Sequence, residues 1–306
     1  MAISRSQLMK ELVPGLNALF GLEYKRYEEE HKNVFAVESS ERSFEEETKV
    51  TGFGPAPVKP EGSAIEYDEA QETYTARYTH ETIALGFSVT EEAFEDNLYD
   101  SLSKRYTKAL ARSMANTKQV KGAAILNNAF NAAFPGGDGV SLCNVAHPLV
   151  MGGAVNSNTP STPSDLNETS LEQAATTIAL WLDDRGLLIA CKPRKLIIPA
   201  ALIFTATRTL RSQYRPGTAD NDVNALYTNG TIPEGWFVNH WIVDPKAWYI
   251  ITDTPNGLKM FQRVPLETKD DPDFDTGNLR YKARERYSFG WSDPLGVYGS
   301  PGTPGP

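Results

Sequence analysis

The sequence predicts an α+β fold in which extended two-stranded parts are joined to one long helix and one α/β unit. Three observations predict it. Residues 280–291, RYKARERYSFGW, place Arg280, Lys282, Arg284 and Arg286 on alternate positions from Tyr281, Ala283, Glu285, Tyr287, Phe289 and Trp291. That is the period of a strand with one cationic and one mostly aromatic face. Between residues 90 and about 131, apolar side chains step at three and four, the helical period. Between 41 and 89, two extended runs flank a stretch dense in Gly and Pro, the pattern of a hairpin with a stiff tip.

Composition bounds the class. The 306 residues are 40% hydrophobic and 23% charged, an ordinary globular balance with a prior of about two domains. The 39 acidic residues exceed the 30 basic ones, for a net charge of −9, so the surface as a whole is not built to grip nucleic acid. Two cysteines, Cys143 and Cys191, make no disulfide framework and are expected to be reduced thiols. The start, MAISRSQLMKELVPGLNALFG, lacks a continuous apolar core and is interrupted by Pro14-Gly15, a poor match to a signal peptide. No run of about 18 apolar residues is present, so no membrane partner is expected.

In chain order, residues 1–40 read as a short amphipathic helix followed by an irregular acidic arm. SFEEETKVTGF and SAIEYDEAQETYTARYTHETIALGFSV read as the two strands of a long hairpin, with Ile65, Tyr67, Tyr74, Ala76 and Tyr78 at period two. The tip, GFGPAPVKPEG, is too rich in Gly and Pro for regular structure. An isolated ribbon is marginal in water, so another surface is expected to cover this one.

Phe94, Leu98, Leu102, Tyr106, Ala109, Leu110, Met114 and Val120 define the face of the long helix. Thr90 stands as its N-cap, acids fill its start, and Lys104, Arg105, Lys108, Arg112, Lys118 and Lys121 fill its later turns, complementing the helix dipole. About 40 residues at ~1.5 Å each give a rod of ~60 Å. A compact globule of this length has a diameter of ~50 Å. The helix therefore either kinks near Asn116-Thr117 or belongs to a flat, elongated molecule, and the second is expected.

Residues 140–262 read as an α/β unit. Thr169 and Glu172 suggest a capping box for a helix running to about Asp183, closed by Gly186. KLIIP is a strand, AALIFTATRTLRS a helix, and WFVNHWIVD, AWYIITD and LKMFQ further strands. VPLETKDDPDFDTGN reads as an acidic turn before the closing strand, and GSPGTPGP as a loose tail.

Catalytic chemistry is sparse. Cys143 and His147 lie four apart and would suit a cysteine hydrolase, but no orienting group or oxyanion hole is legible. With four His in the chain, none stands at zinc-ligand spacing. Asp271, Asp273 and Asp275 imitate a calcium loop, yet Thr276 stands where its glycine belongs and Lys282 where its glutamate belongs. No phosphate-binding, dinucleotide or metalloprotease motif is present. No cofactor and no metal are expected.

The order of elements resembles the major capsid protein of tailed bacteriophages, the Hong Kong 97 fold, and most of all Mu-like major head subunits. The resemblance rests on KPEGSAIEYDEA in the hairpin, the VTEEAFEDN lead-in to the long helix, PRKLIIPAALIFTATRTLRS, and the closing RYKARERYSFGWSDPLGVYGS. It implies an N-terminal arm (1–40), an extended E-loop hairpin lying over a neighbouring subunit (41–89), a P-domain spine helix (90–139), an A-domain (140–262), a P-domain return strand (263–299) and a tail (300–306). It implies a structural, non-enzymatic subunit that self-assembles into hexamers and pentamers of an icosahedral virion shell enclosing double-stranded DNA, built in the host cytoplasm. Family members often begin with a scaffolding segment, which this sequence does not show, so the resemblance implies a separate scaffolding protein, with a portal protein and an optional decoration protein as further partners.

By the same resemblance, Phe53, Lys59, Glu61, Arg280, Lys282, Arg284 and Arg286 are inter-subunit contacts. The aromatic face of the closing strand packs on the spine helix, where Glu285 needs a basic partner because an unpaired buried carboxylate is costly. Some relatives join subunits by a lysine–asparagine isopeptide bond; Lys59, Asn278 and Glu285 are the residues of this chain that such a bond would use. An encapsulin-like nanocompartment shell is the alternative within the fold, and a hydrolase using Cys143 and His147 the alternative outside it.

Overall fold

The computed structural model of the chain describes residues 5–90, 92, 99–149, 155–215, 222–272 and 278–303. Helix α1 (Arg5–Lys25) is followed by a 3-10 turn (Glu30–Asn33) and the strands β1 (Ala36–Ser39), β2 (Phe44–Val50), β3 (Glu72–Thr79) and β4 (Glu81–Val89). The long helix α2 (Tyr99–Asn127) leads through a turn region to the short β5 (His147–Pro148) and β6 (Val155–Asn156). Then come α3 (Glu168–Ala179), β7 (Pro193–Ile198), α4 (Ile203–Arg211), α5 (Ala225–Thr228), β8 (Trp236–Val238) and β9 (Trp248–Thr252). The chain closes with β10 (Leu258–Pro272), β11 (Leu279–Trp291) and β12 (Val297–Ser300).

Two four-stranded sheets carry the architecture. In the first, the order is β1-β10-β11-β4, with β1 parallel to β10 and the remaining pairs antiparallel. In the second, the order is β12-β9-β7-β8, with only β7 and β8 parallel. Along β11 the period-two reading holds: Leu279, Tyr281, Ala283, Glu285 and Tyr287 are buried, while Arg280 and Lys282 are exposed and Arg284 and Arg286 half-buried. The buried face packs on helices. Tyr281 and Ala283 share a core with Leu110, Ala111 and Met114 of α2 and with Leu16 and Phe20 of α1. A second core, with Leu126, Leu142, Ile197, Tyr249, Met260, Tyr287 and Val297, joins this layer to the α/β unit, which has its own core around Trp181, Leu196, Trp248 and Ile250. Burial of each such aliphatic or aromatic side chain contributes about 1.5–3 kcal/mol.

Several readings are corrected. Helix α1, expected to be short, runs through Pro14 to Lys25. The α3 cap is Asn167, whose side chain accepts from the Ser170 amide while Ser170 Oγ accepts from the Asn167 amide, two residues before the expected Thr169. That helix ends at Ala179, and Gly186, at φ +80°, closes a turn in which Asp183 Oδ1 accepts from the amides of Arg185 and Leu187. Residues 263–272 are strand rather than loop, because β10 continues to Pro272 opposite β11. The extended run from 63 to 89 is divided. Only Glu72–Thr79 pairs with β2, and Glu81–Val89 crosses to pair with β11.

The long helix is continuous through Asn116 and Thr117, so its described part, 29 residues or ~43 Å, has no break there. The Thr90 cap and the first apolar positions of that helix, Phe94 and Leu98, concern a start that lies outside the described residues, as do Asp273, Asp275 and Thr276. Among the described residues no helix is long and apolar enough to cross a membrane.

Candidate assembly surfaces

The hairpin ribbon has an anchored base and a bare tip. At the base, the Tyr78 ring meets Phe261 edge-on at 4.8 Å and its hydroxyl lies 2.6 Å from Ser292 Oγ. His80 bridges Ser40 and Ser288 through its two ring nitrogens, each at 2.9 Å. Lys259 pairs with Glu47 at 2.5 Å and with Glu38 at 3.1 Å. Lys49 reaches Asp184 and Asp293 at 3.4 and 3.3 Å. The surface expected to cover the ribbon is, at its base, the chain's own body.

One strap lies farther out. Arg185 Nη2 donates to both oxygens of Asp68, at 2.6 and 2.5 Å, and Asp68 accepts from the Gly54 amide at 2.7 Å. Every residue from Pro55 to Gln71 is exposed. Large apolar groups are among them and beside them: Phe53 is 60% exposed, Val58 93%, Ile65 58% and Tyr67 88%. Lys59 and Glu61 share this tip and have no partner among the described residues.

The second surface is the outer face of the first sheet. Cross-strand partners share a face, so the register assigns its rows. Ser88, Arg280 and Asp271 form one row; Gly86, Lys282 and Lys269 the next; Ala84, Arg284 and Glu267 the third; Thr82, Arg286 and Val264 the last. Glu267 stands 3.8 Å from Arg284 and Arg286 donates to the Ser43 carbonyl at 3.5 Å. The four expected cationic residues are thus brought together, and the hairpin-tip residues are not brought to them.

On the sheet's inner face one charged residue is fully buried. Glu285 is fully buried, and Lys118 of α2, itself 5% exposed, approaches it at 2.8 Å. The expected basic partner is therefore present. The contact is an ion pair lying off the hydrogen-bond direction, since neither carboxylate oxygen has an aligned donor. Lys118 also lies 5.3 Å from the centre of the Tyr287 ring and 3.4 Å from the Tyr24 hydroxyl. Burial pushes the Glu285 carboxyl above its ordinary range, and Lys118 pulls it back. Burial, and then Lys118, push His31 down to about 4. Asn278, just before β11, is half-buried, whereas Glu285 is fully buried in the sheet and Lys59 is exposed on the hairpin tip.

Cys143 and His147 do not form a dyad. His147 Nδ1 faces Asp138 at 2.6 Å and Nε2 faces Asn158 Oδ1 at 3.0 Å, so both ring nitrogens are engaged away from the thiol. Asn158 donates in turn to the carbonyls of Leu142, Pro294 and Val297, tying three segments together. Burial pushes the Cys143 thiol far up, the opposite of what a nucleophile needs. Cys191 is also buried and its thiol raised, first by burial. Both thiols are expected to resist a thiol-specific disulfide reagent in the native chain and to react at once in denaturant; rapid native labelling of Cys143 would contradict this burial. Among the described residues no group of His, Cys, Asp and Glu is arranged to hold a metal ion.

Comparison with known proteins finds a family model and solved structures to which the chain is similar. A family model described as phage capsid protein matches residues 73–300. No curated protein matches the sequence. Among solved structures, the chain is similar to the virus-like particle from Pyrococcus furiosus at 12% identity and TM-score 0.54, covering 95% of this chain and 99% of that one. It is similar to the capsid of an empty GTA particle at 14% identity and TM-score 0.52, covering 88% of each chain. It is also similar to the capsid of Myoviridae phage XM1 at 12% identity and TM-score 0.51, covering 89% of this chain and 90% of that one. At such identities the likeness is one of fold.

Proposed function

The chain belongs to the phage capsid protein family, and from that premise we propose that it is the major head subunit of a tailed phage, closing an icosahedral shell around packaged double-stranded DNA. The Hong Kong 97-type α+β fold carries the coarse statement, that of a capsid shell subunit. The observation that supports assembly is the hairpin tip: its apolar side chains are bare while the body closes its cores without them. Surfaces of that kind mark protein interfaces, and obligate interfaces bury on the order of 2,000–5,000 Å².

In this reading residues 1–40 are the arm, 41–89 the E-loop, 90–139 and 263–299 the P-domain, and 140–262 the A-domain. Hexamers and pentamers are built from the one chain, with a separate scaffolding protein and a portal as partners and a decoration protein as an optional one. A net charge of −9 suits non-specific contact with DNA that must move in and out, because a strongly basic lining would bind it through many phosphates. Subunits are held without covalent bonds, since Glu285 already serves Lys118.

Negative-stain microscopy of the chain expressed with its scaffold, followed by nuclease-protection and denaturing gels of particles from a packaging host, tests this reading. Closed shells holding protected DNA and giving monomer-sized bands are expected. A chain that stays monomeric with the scaffold overturns the shell. Particles that hold a cargo protein and no DNA favour the nanocompartment reading, to which the likeness to the Pyrococcus furiosus particle lends support. A ladder of gel bands overturns the non-covalent assignment.

A further inference from the structure

Both legs of the hairpin ribbon change sheet at one pivot. On the outgoing leg, β1 ends at Ser39 beside β10 and β2 begins at Phe44, with Ser40 in the gap. On the returning leg, β3 ends with Thr79 paired to Phe44, and β4 begins with Glu81 paired to Tyr287 of β11. A single residue, His80, therefore stands between ribbon and body. Ser40, His80 and Ser288 of β11 are all buried. The Ser40–His80 contact fastens the two legs to each other, and the His80–Ser288 contact fastens them to the body.

The partners dictate where the protons sit. Ser40 Oγ donates to the Glu45 carboxylate at 2.7 Å, so its one hydrogen is not free for the imidazole. His80 Nε2 must then donate to Ser40, which leaves Nδ1 to accept from the Ser288 hydroxyl. The ring is neutral in this arrangement. A second proton would turn Ser288 from donor into acceptor and add a cation beside two others. Those are Arg286 of β11 and Arg263, the extra residue where the β10–β11 register shifts. Neither has a carboxylate partner among the described residues, and Arg286 Nε is buried without an acceptor. Glu45 opposes them but is hydrogen-bonded to Ser40.

We propose that His80 is an acid-operated hinge, whose protonation unfastens the two legs from each other and from β11 and frees the ribbon to swing. The Tyr78 ring on Phe261 and the Lys259–Glu47 pair remain, so the base loosens without detaching. The sign follows from the surroundings. Burial first, and then Arg286, hold the ring's pKa below its ordinary value. Such a group contributes stability that is present above its unfolded value of about 6.5 and lost as pH falls toward the folded one.

Amide hydrogen exchange of the unassembled chain, corrected for the intrinsic rate, reads the hinge at about pH 7.5 and about pH 5. A ring that titrates near about 6.5 once released shifts local opening by no more than ~30-fold over that range. Protection of the paired residues 44–48 and 75–79 is expected to fall ~5–30-fold, while β10 opposite β11 stays within ~2-fold. His80→Gln keeps a donor and an acceptor without a titrating group, and should hold ribbon protection within ~2-fold. Unchanged wild-type protection, or an equal fall in the variant, overturns the hinge. Histidine-ring NMR of the wild-type chain needs no variant. It should show a neutral ring with its hydrogen on Nε2 at about pH 7.5, taking up a proton over the range in which protection falls. A ring already cationic at about pH 7.5, or still neutral at about pH 5 while the ribbon loosens, also overturns the hinge. The hinge lies within one chain, so its failure and that of the shell reading are separate results.

Discussion

Replacing Lys118 by methionine lowers the stability of the unassembled chain by about 3–5 kcal/mol at neutral pH, the loss seen when one partner of a buried pair is removed. The cause is not the lost attraction alone. Glu285 stays where β11 puts it, between Tyr281, Ala283 and Tyr287 on the buried face, with no other cation paired to it among the described residues. Its carboxyl must then be buried charged and alone, or take up a proton.

That choice fixes the pH dependence. Burial already holds the folded-state pKa of Glu285 above its unfolded value, with Lys118 opposing. A group whose folded pKa is raised contributes stability that is fully present below the unfolded pKa and lost as pH rises through the folded one. Without Lys118 the folded value rises further, so the deficit of the variant is largest near about pH 8 and shrinks toward about pH 4. The double variant Lys118→Met/Glu285→Leu removes both charges and should match or exceed the parent. Urea titrations at several pH values measure all three. A Lys118→Met deficit under about 1 kcal/mol, as for an exposed pair, or one that does not change with pH, would refute the account.

The need for this pair was legible before its geometry. A carboxylate on the aromatic face of an alternating strand must find a cation, and β11 declares its faces because its period is two. The identity of the cation was not legible. Six bases lie on the helical stretch, and only the phase of α2 against the sheet selects Lys118 while sending Lys121 to Glu81. The same limit explains the missed extent of β10. Glu267, Lys269 and Asp271 look like loop residues until β11 pairs with them and gives them an exposed face. Lys269 was missed as a member of the cationic face for that reason.

Anchoring of the ribbon was hidden for a related cause. Glu47 meets Lys259 and Tyr78 meets Ser292 across more than two hundred residues, and nothing local encodes such pairs. Spacing misled in the other direction at Cys143 and His147. Four residues of separation says nothing of orientation, and the imidazole turns to Asp138 and Asn158. The tip, by contrast, was legible because Gly and Pro forbid regular structure regardless of context.

Changing Phe53, Val58, Ile65 and Tyr67 together to serine should leave the chain as stable as its parent and abolish particles. These side chains are 58–93% exposed, so little apolar burial is lost from the isolated fold. In a shell they are the groups that leave water. At about 1.5–3 kcal/mol for each side chain fully buried, four of them supply on the order of 6–12 kcal/mol per neighbour contact before the costs of ordering are counted. At 1.4 kcal/mol per tenfold, losing even a third of that raises the concentration needed for assembly by about one to three orders of magnitude. The matched control is Tyr78→Ser in the anchored base. It removes a ring packed on Phe261 and a hydroxyl on Ser292, so it should lower stability by about 3–5 kcal/mol. Thermal melting separates the two variants by their effect on the fold, and sedimentation or microscopy separates them by assembly. Particles at parental yield from the tip variant would mean that the bare apolar groups face solvent in the shell as well, and that the driving force for association lies on another surface.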